Sequence, residues 1–430
     1  MIKEWCLIIL VHGFFDGSDV RRDQDYEIQV HGDRITSAHV SNDDLVLAGT
    51  QLKRRKYTSC KTLDLRKSFV LPGLNDLHTH LFSVDKNESR NFSKELIRIT
   101  AESSEKRVEI ARRNARSLLR ACITSIRDLG NSGNYLEKRI DSEYSGKNSD
   151  LPRIFFSGPG IAIQEGQFEK GTPLAIVNKE YSVISNVSQA EQIVLDHLKN
   201  GATWIKIYAD NDPNSSIMPQ PWIKQLARIA HQNNLKVAVH ATQIESIINA
   251  ASAGIDSLEH GYAIDSSAAQ LINANKIAWV PTFFSLQVLK VLSTKNPDYK
   301  DQEGYIKNRL ENIRTGLKYN LNMAFGSDAY VDWSKIGISP GKASKEGLYA
   351  YVDYGLTPLQ ALFLATSKSG ALLSPGNIGA LKPGYFADFI AVNGDPTKNI
   401  RDLENITFVF KSGRIICGAG DPCMTPKSPN

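Results

Sequence analysis

The stretch Val70-Leu-Pro-Gly-Leu-Asn-Asp-Leu-His-Thr-His80 decides the fold. Pro72-Gly73 punctuates the chain, and the residues after it form a short strand, Gly73–His80. Side chains alternate across a strand, so His78 and His80, two apart, leave on the same side. Seven further apolar segments follow the same plan: Ile123–Asp128, Arg153–Ser157, Trp204–Tyr208, Lys236–His240, Ser257–His260, Ala278–Pro281 and Met323–Asp328. Helical patterns separate them over Lys94–Arg120, Ser188–Lys199, Pro219–Gln232, Ile244–Ala253, Ser266–Asn275 and Asn308–Asn320, and Leu356–Leu373 follows the last strand. In Lys94–Arg120 the apolar Leu96, Ile97, Ile110, Leu118 and Leu119 sit among many charges, as an outer helix requires. Eight strands with intervening helices predict an α/β protein with a (β/α)8 TIM barrel. The link 129–152 is the least clear helix.

Outside this core the texture changes. Trp5–Val11, Tyr26–His31, Ile35–Ser41 and Leu45–Ala48 are strand-like, with turn signals at Asp16-Gly17 and Gly32-Asp33. The tail returns to strands at Phe386–Val392, Thr407–Phe410 and Arg414–Cys417. We therefore expect a barrel over 71–373 and a small discontinuous β-sandwich domain formed by both termini, 1–70 plus 374–430. Composition adds exclusions. The 430 residues carry a net charge of only +5 and no basic block, so no nucleic-acid track is expected. The apolar run Cys6–Val11 is too short for a membrane span. Five scattered cysteines (Cys6, Cys60, Cys122, Cys417, Cys423) without CxxC spacing argue against a disulfide framework and for a reducing, cytoplasmic setting. Five N-x-S/T triplets, at Asn87, Asn91, Asn186, Asn214 and Asn405, hint weakly at secretion, with no leader to support it.

Strand ends carry the chemistry. The first strand ends in His78 and His80, the fourth carries Lys206, the fifth ends at His240, the sixth at His260 and the eighth at Asp328. In a barrel all strand C-termini converge on one face, so residues far apart in sequence meet there. Imidazole nitrogens and a carboxylate suit a borderline divalent ion. Singly each has a bland explanation: an isolated HxH, a core histidine, a helix-capping Asp, a solvated Lys. Jointly, six such residues at one end of successive strands are hard to explain as packing. His12, His31, His39, His197 and His231 have no such placement and are expected to be structural or solvated.

These segments resemble the amidohydrolase superfamily. "VLPGLNDLHTH" is similar to its first-strand motif, "ACITSIRDLG" to its second strand, and "GATWIKIYA" to the branch with a carboxylated fourth-strand lysine. "VAVHA", "GIDSLEHG" and "MAFGSDA" resemble its fifth, sixth and eighth strands. "YGLTPLQALFLATSKSGALL" and "IGALKPGYFADFIAVNGDP" resemble its closing helix and returning β segment. The nearest group is imidazolonepropionase-like and Xaa-Pro dipeptidase-like, including ochratoxin-cleaving amidases. The resemblance implies two divalent metal ions per chain, Zn2+ foremost: His78, His80 and Asp328 on the buried ion, His240 and His260 on the exposed one. Lys206 would bridge them as an N6-carboxylated side chain, because an ordinary lysine is a protonated, poor ligand. Two ions would make hydroxide available at neutral pH, and Asp328 would move its proton to the leaving nitrogen.

The expected activity is hydrolysis of an amide or peptide-like C–N bond in a small-molecule substrate. A lactam or lactone hydrolase, a deaminase, or a metal-dependent lyase or decarboxylase on the same barrel is the alternative; a non-catalytic binding module is a third. Homo-oligomerisation is left open. Two departures from the family fall in substrate loops. Ser157-Gly-Pro-Gly-Ile-Ala-Ile-Gln-Glu-Gly-Gln167 lacks the family's histidine, and Pro340-Gly341 replaces a His-Gly pair, although Glu346 is kept. Pocket candidates are Phe82, Tyr208, Tyr262, Phe283, Phe284, Tyr330 and Trp333, with Tyr208 and Tyr262 the expected hydroxyl donors. Lys335, Lys342 and Lys345 could pair with a substrate carboxylate but are expected to be solvated. Arg127 and Asp128 are expected to form a structural ion pair behind the metal shell. No G-x-S-x-G, H-E-x-x-H, P-loop or dinucleotide fingerprint occurs.

Overall fold

A computed structural model describes residues 6–41, 46–48, 51–53, 60–82, 92–130, 132–144, 150–211, 215–295, 299–329, 332–334, 337–418, 420, 421 and 423. Trp5, Leu45, Tyr330, Lys335 and the triplet asparagines Asn87, Asn91 and Asn214 lie outside them. The protein is an α/β chain that divides into two compact units. One comprises residues 1–75, 119–124 and 357–430; the other comprises 76–118 and 125–356.

The first unit is built on two sheets. A four-stranded sheet runs Arg34–Val40, Tyr26–His31, Cys6–Val11, Lys61–Asp64. A six-stranded sheet runs Arg414–Gly418, Ile406–Lys411, Phe389–Val392, Phe69–Pro72, Gly13–Phe15, Val20–Arg21. One apolar cluster draws on both, with Leu7, Ile9, Val11, Ile28 and Val30 meeting Phe14, Val70, Phe389 and Phe410. Leu7, Ile9 and Val11 face it by strand alternation, yet Ile8 and Leu10 are equally buried, so this strand is covered on both faces.

The cysteine expectation is overturned here. Cys6 is bonded to Cys60, and Cys417 to Cys423. Cys6–Val11 and Lys61–Asp64 pair in parallel with Leu7 opposite Lys61, so the register sets Cys6 beside Cys60. That pairing joins residues 54 apart and leaves no spacing signature. The case for a reducing compartment loses its footing with it. Cys122, outside both bridges, is buried.

The second unit holds a parallel sheet. Trp204–Tyr208, Lys236–Ala241, Ser257–His260, Ala278–Val280 and Asn322–Met323 lie side by side, with Gly160–Ala162 and Tyr181–Val183 beyond the first of these. Ile123–Asp128 pairs in parallel with Arg153–Phe156. Backbone bonds carry the pattern further: Thr203 N–H donates to Phe156 O at 3.0 Å, Leu77 N–H to Phe325 O at 3.0 Å and Asp328 N–H to His78 O at 2.8 Å.

Two helices differ from expectation for local reasons. Lys94–Arg120 is broken into Phe92–Ala101 and Ser104–Arg120, because Ser103 Oγ accepts the Lys106 amide and caps a new start. The unclear link contains the helix Glu137–Tyr144. Among the described residues no helix is long and apolar enough to cross a membrane.

Candidate metal centre

Parallel register brings the strand ends level. Tyr208 lies opposite His240, and Ala241 opposite His260. Asp328, held to the His78 carbonyl, completes the rim. His80 Nε2 lies 3.3 Å from Asp328 Oδ1 and His78 Nε2 lies 3.8 Å from it. These three residues form a cluster able to hold a cation. Lys206 Nζ is 3.3 Å from His78 Nε2. The other two imidazoles pack alongside, with ring centroids 4.9 Å apart for His78 and His260 and 4.5 Å for His240 and His260. All six residues singled out in the sequence thus meet.

Three of the four histidines have one ring nitrogen hydrogen-bonded from behind, and the fourth has one beside a carboxylate. His78 Nδ1 bonds Glu259 Oε2 at 2.8 Å, and His80 Nδ1 donates to the Gly130 carbonyl at 3.0 Å. His260 Nδ1 meets Thr282 Oγ1 at 2.7 Å. His240 Nε2 lies 3.0 Å from Asp210 Oδ1, though bent away from hydrogen-bond alignment. One nitrogen of every ring therefore remains for a ligand bond, the arrangement metal-binding histidines adopt. Burial, reinforced by neighbouring cationic groups, holds His78 and His260 well below the usual imidazole range, which keeps them neutral. His80 differs: burial opposes its charge, but the Asp328 carboxylate outweighs burial and raises it. Three positions at Asp328, His260 and Thr282 have left-handed backbone, φ 50°, 69° and 54°. Non-glycine residues rarely adopt it, and such strain gathers at functional sites.

Lys206 is fully buried, and among the described residues it makes no ion pair. Burial pushes its amine down to about 8, against the opposing pull of Glu259 and Asp328. The uncharged amine, the form able to bind a metal or take up carbon dioxide, is thus more accessible than in a free lysine. The donor set of four imidazoles, a carboxylate and a deprotonatable amine fits divalent cations.

The two tyrosines part company. The Tyr262 hydroxyl is engaged by Thr282 Oγ1 at 3.0 Å and by the Thr282 carbonyl at 3.3 Å. The Tyr208 ring packs against Gly160, where an added Cβ would lie 2.3 Å from its Cε2, and 5.2 Å from the His240 ring. Its hydroxyl makes no hydrogen bond among the described residues, and burial pushes the phenol well above its ordinary value. Of the other pocket candidates, Phe82 and Phe283 are core residues, Phe284 is half-buried, and Trp333 packs with Val288, Leu292 and Ile338. Lys345 is buried rather than solvated, whereas Lys342 is half-buried.

Sequence reasoning missed the residues behind the candidate ligands. Glu259 accepts from His78, from Arg127 Nη2 at 2.7 Å and from Ser257 Oγ at 2.6 Å. The buried ion pair is therefore Arg127–Glu259. Asp128, expected as Arg127's partner, instead accepts the Leu81 amide at 2.9 Å, because adjacent strand residues point to opposite faces. Asp210 accepts the Thr242 and Gln243 amides and the Ser246 hydroxyl, which with His240 outweigh burial and hold it well below the usual carboxylate range. Asp76, inside the decisive stretch, accepts from His78 N, Ser327 N, Ser327 Oγ and Ser344 Oγ, tying the first strand to the Ser327–Asp328 turn. His197, expected to be structural or solvated, is buried and donates from Nδ1 to the Ser157 carbonyl at 2.8 Å.

Comparison with known proteins agrees with this geometry. The amidohydrolase family profile matches residues 69–416. Ochratoxinase from Aspergillus niger is 24% identical over 401 residues, spanning 85% of this chain and 79% of the relative. Its crystal structure superposes with a TM-score of 0.79 at 21% identity, over 97% of both chains. A Xaa-Pro dipeptidase with bound methionine superposes with a TM-score of 0.77 at 24% identity, over 95% of this chain and 99% of that one.

Proposed function

Because the chain belongs to the amidohydrolase family, we propose that it hydrolyses an amide or peptide-like C–N bond of a small substrate at a binuclear metal centre. The observation that carries this is the set of four histidines, each with one nitrogen against a polar partner, around Lys206 and Asp328. His78, His80 and Asp328 would hold one ion, His240 and His260 the second, and Lys206, as an N6-carboxylate, both. Zinc suits these donors. An ochratoxinase and a dipeptidase among the relatives support an amide substrate. The fold fits a (β/α)8 barrel, the bonds from Leu77 and Asp328 to the first and last strands closing the ring, with a terminal β-sandwich made by the two sheets around one core.

Bound ions would lower the pKa of water and polarise the scissile carbonyl. The chain's own groups do the rest. Asp328, partly exposed at the rim, accepts the attacking water's proton and returns it to the leaving nitrogen as the C–N bond breaks. The Tyr208 hydroxyl, unengaged beside His240, can donate to the carbonyl oxygen as negative charge develops there. Glu259 and Asp210 keep His78 and His240 oriented. The test is hydrolysis of dipeptides, N-acyl amino acids, lactams and lactones by zinc- and bicarbonate-loaded protein. Amide cleavage is expected. Turnover of lactones alone, or full activity in Asp328→Asn, would contradict the assignment.

A further inference from the structure

The helix Gln302–Lys318 carries Tyr305 and Arg309 one turn apart, on the face that meets the loops after His260 and Val280. Arg309 is only 7% exposed. Its guanidinium carbon lies 3.7 Å from the centroid of the Tyr262 ring, 4.4 Å from that of Tyr305 and 5.5 Å from that of Phe283. Nη1 donates to Asn308 Oδ1 at 2.6 Å. Nε is buried and donates to nothing, and among the described residues no carboxylate pairs with this cation.

That is unusual, because buried charges are normally paired. The same unit follows the rule elsewhere, at Arg127–Glu259 and Arg107–Glu180. The frame around Arg309 is stiff. Asn308 and Asn312 each donate to the Tyr262 carbonyl at 3.3 Å, and the Tyr305 hydroxyl accepts the Phe284 amide at 3.1 Å. Tyr262 in turn lies two residues beyond His260, its hydroxyl 3.3 Å from His260 Nδ1. A fixed guanidinium with no carboxylate partner among the described residues therefore stands one aromatic ring away from the proposed centre.

We propose that Arg309 is a specificity-determining residue that receives a carboxylate of the substrate, so that the enzyme selects amides bearing a free acid. This rests on the hydrolase assignment above. A guanidinium presents parallel donors that match a carboxylate, and the Tyr262 and Phe283 faces would shield the pair from water. A purely structural stack on the rings would stiffen the loop and affect every substrate alike.

The experiment compares matched dipeptides and N-acyl amino acids, each as the free acid and as the C-terminal primary amide, scored by the amine released from zinc-loaded enzyme. Wild type should favour the acid in kcat/KM by roughly 10- to 100-fold, the scale of a charge-assisted pair, expressed mainly in KM. Arg309→Gln should abolish that ratio and Arg309→Lys should retain part of it, with thermal unfolding reporting that each variant is folded. Equal wild-type use of acid and amide, or an unchanged ratio in a folded Arg309→Gln, overturns the proposal while leaving the hydrolase assignment intact. No turnover of any pair by wild type defeats the hydrolase assignment, and this inference with it.

Discussion

Glu259 shows how one buried side chain can set the chemistry of another. It accepts from His78 on one oxygen and from Arg127 on the other, with both partners buried. Replacing it by Gln should weaken metal binding by about 10- to 100-fold, read by competition with a chromophoric chelator. It should also strand the Arg127 charge, costing about 3–5 kcal/mol in denaturant unfolding. Unchanged metal affinity would contradict the role. The candidate ligands could be singled out in the sequence because each lies at or near the end of a strand, and convergence of strand ends follows from topology. Glu259 and Asp210 were not, because a carboxylate beside a ligand looks like any polar strand residue until register shows what it faces. Asp328→Asn probes proton transfer most directly and should lower kcat by about 10²–10⁴-fold with the fold retained.

Individual elements explain both the accuracy and the errors. Strand positions follow apolar runs between turn signals, and Trp204–Tyr208 and Ser257–His260 fall where the pattern sets them. The expected Lys94–Arg120 helix is broken because the hydroxyl of Ser103 competes for a backbone amide, which periodicity alone does not register. His197 on the helix Ala190–Lys199 gives the clearest pH dependence. Burial, only partly offset by its bond to the Ser157 carbonyl, lowers its pKa from 6.5 to about 4. Unfolding then takes up a proton between those values. Its contribution is fully present above pH 6.5 and is lost as pH falls towards 4, on the order of 3 kcal/mol. His197→Gln should flatten the fall in unfolding free energy between pH 7 and pH 4.5. A slope equal to that of wild type would remove His197 as its source.

At the scale of the molecule, the two disulfides were the least legible feature. Strand pairing between segments 54 residues apart creates Cys6–Cys60, and no local spacing encodes it. Closing such a loop restricts the unfolded chain by about 4 kcal/mol in the chain-entropy model. Oxidised protein denatured without reductant should therefore yield one reactive thiol per chain, from Cys122, and reduction should lower the melting temperature. Five thiols would contradict both bridges. The centre itself is a whole-molecule property, assembled from five strand ends that no local segment contains. Its most direct test is elemental analysis of protein purified without chelators, paired with native mass spectrometry for the labile carboxyl group on Lys206. The proposed function predicts two divalent ions per chain and an added carboxyl group that Lys206→Ala removes, lowering the metal content with it. A single ion on an unmodified lysine would contradict the binuclear centre.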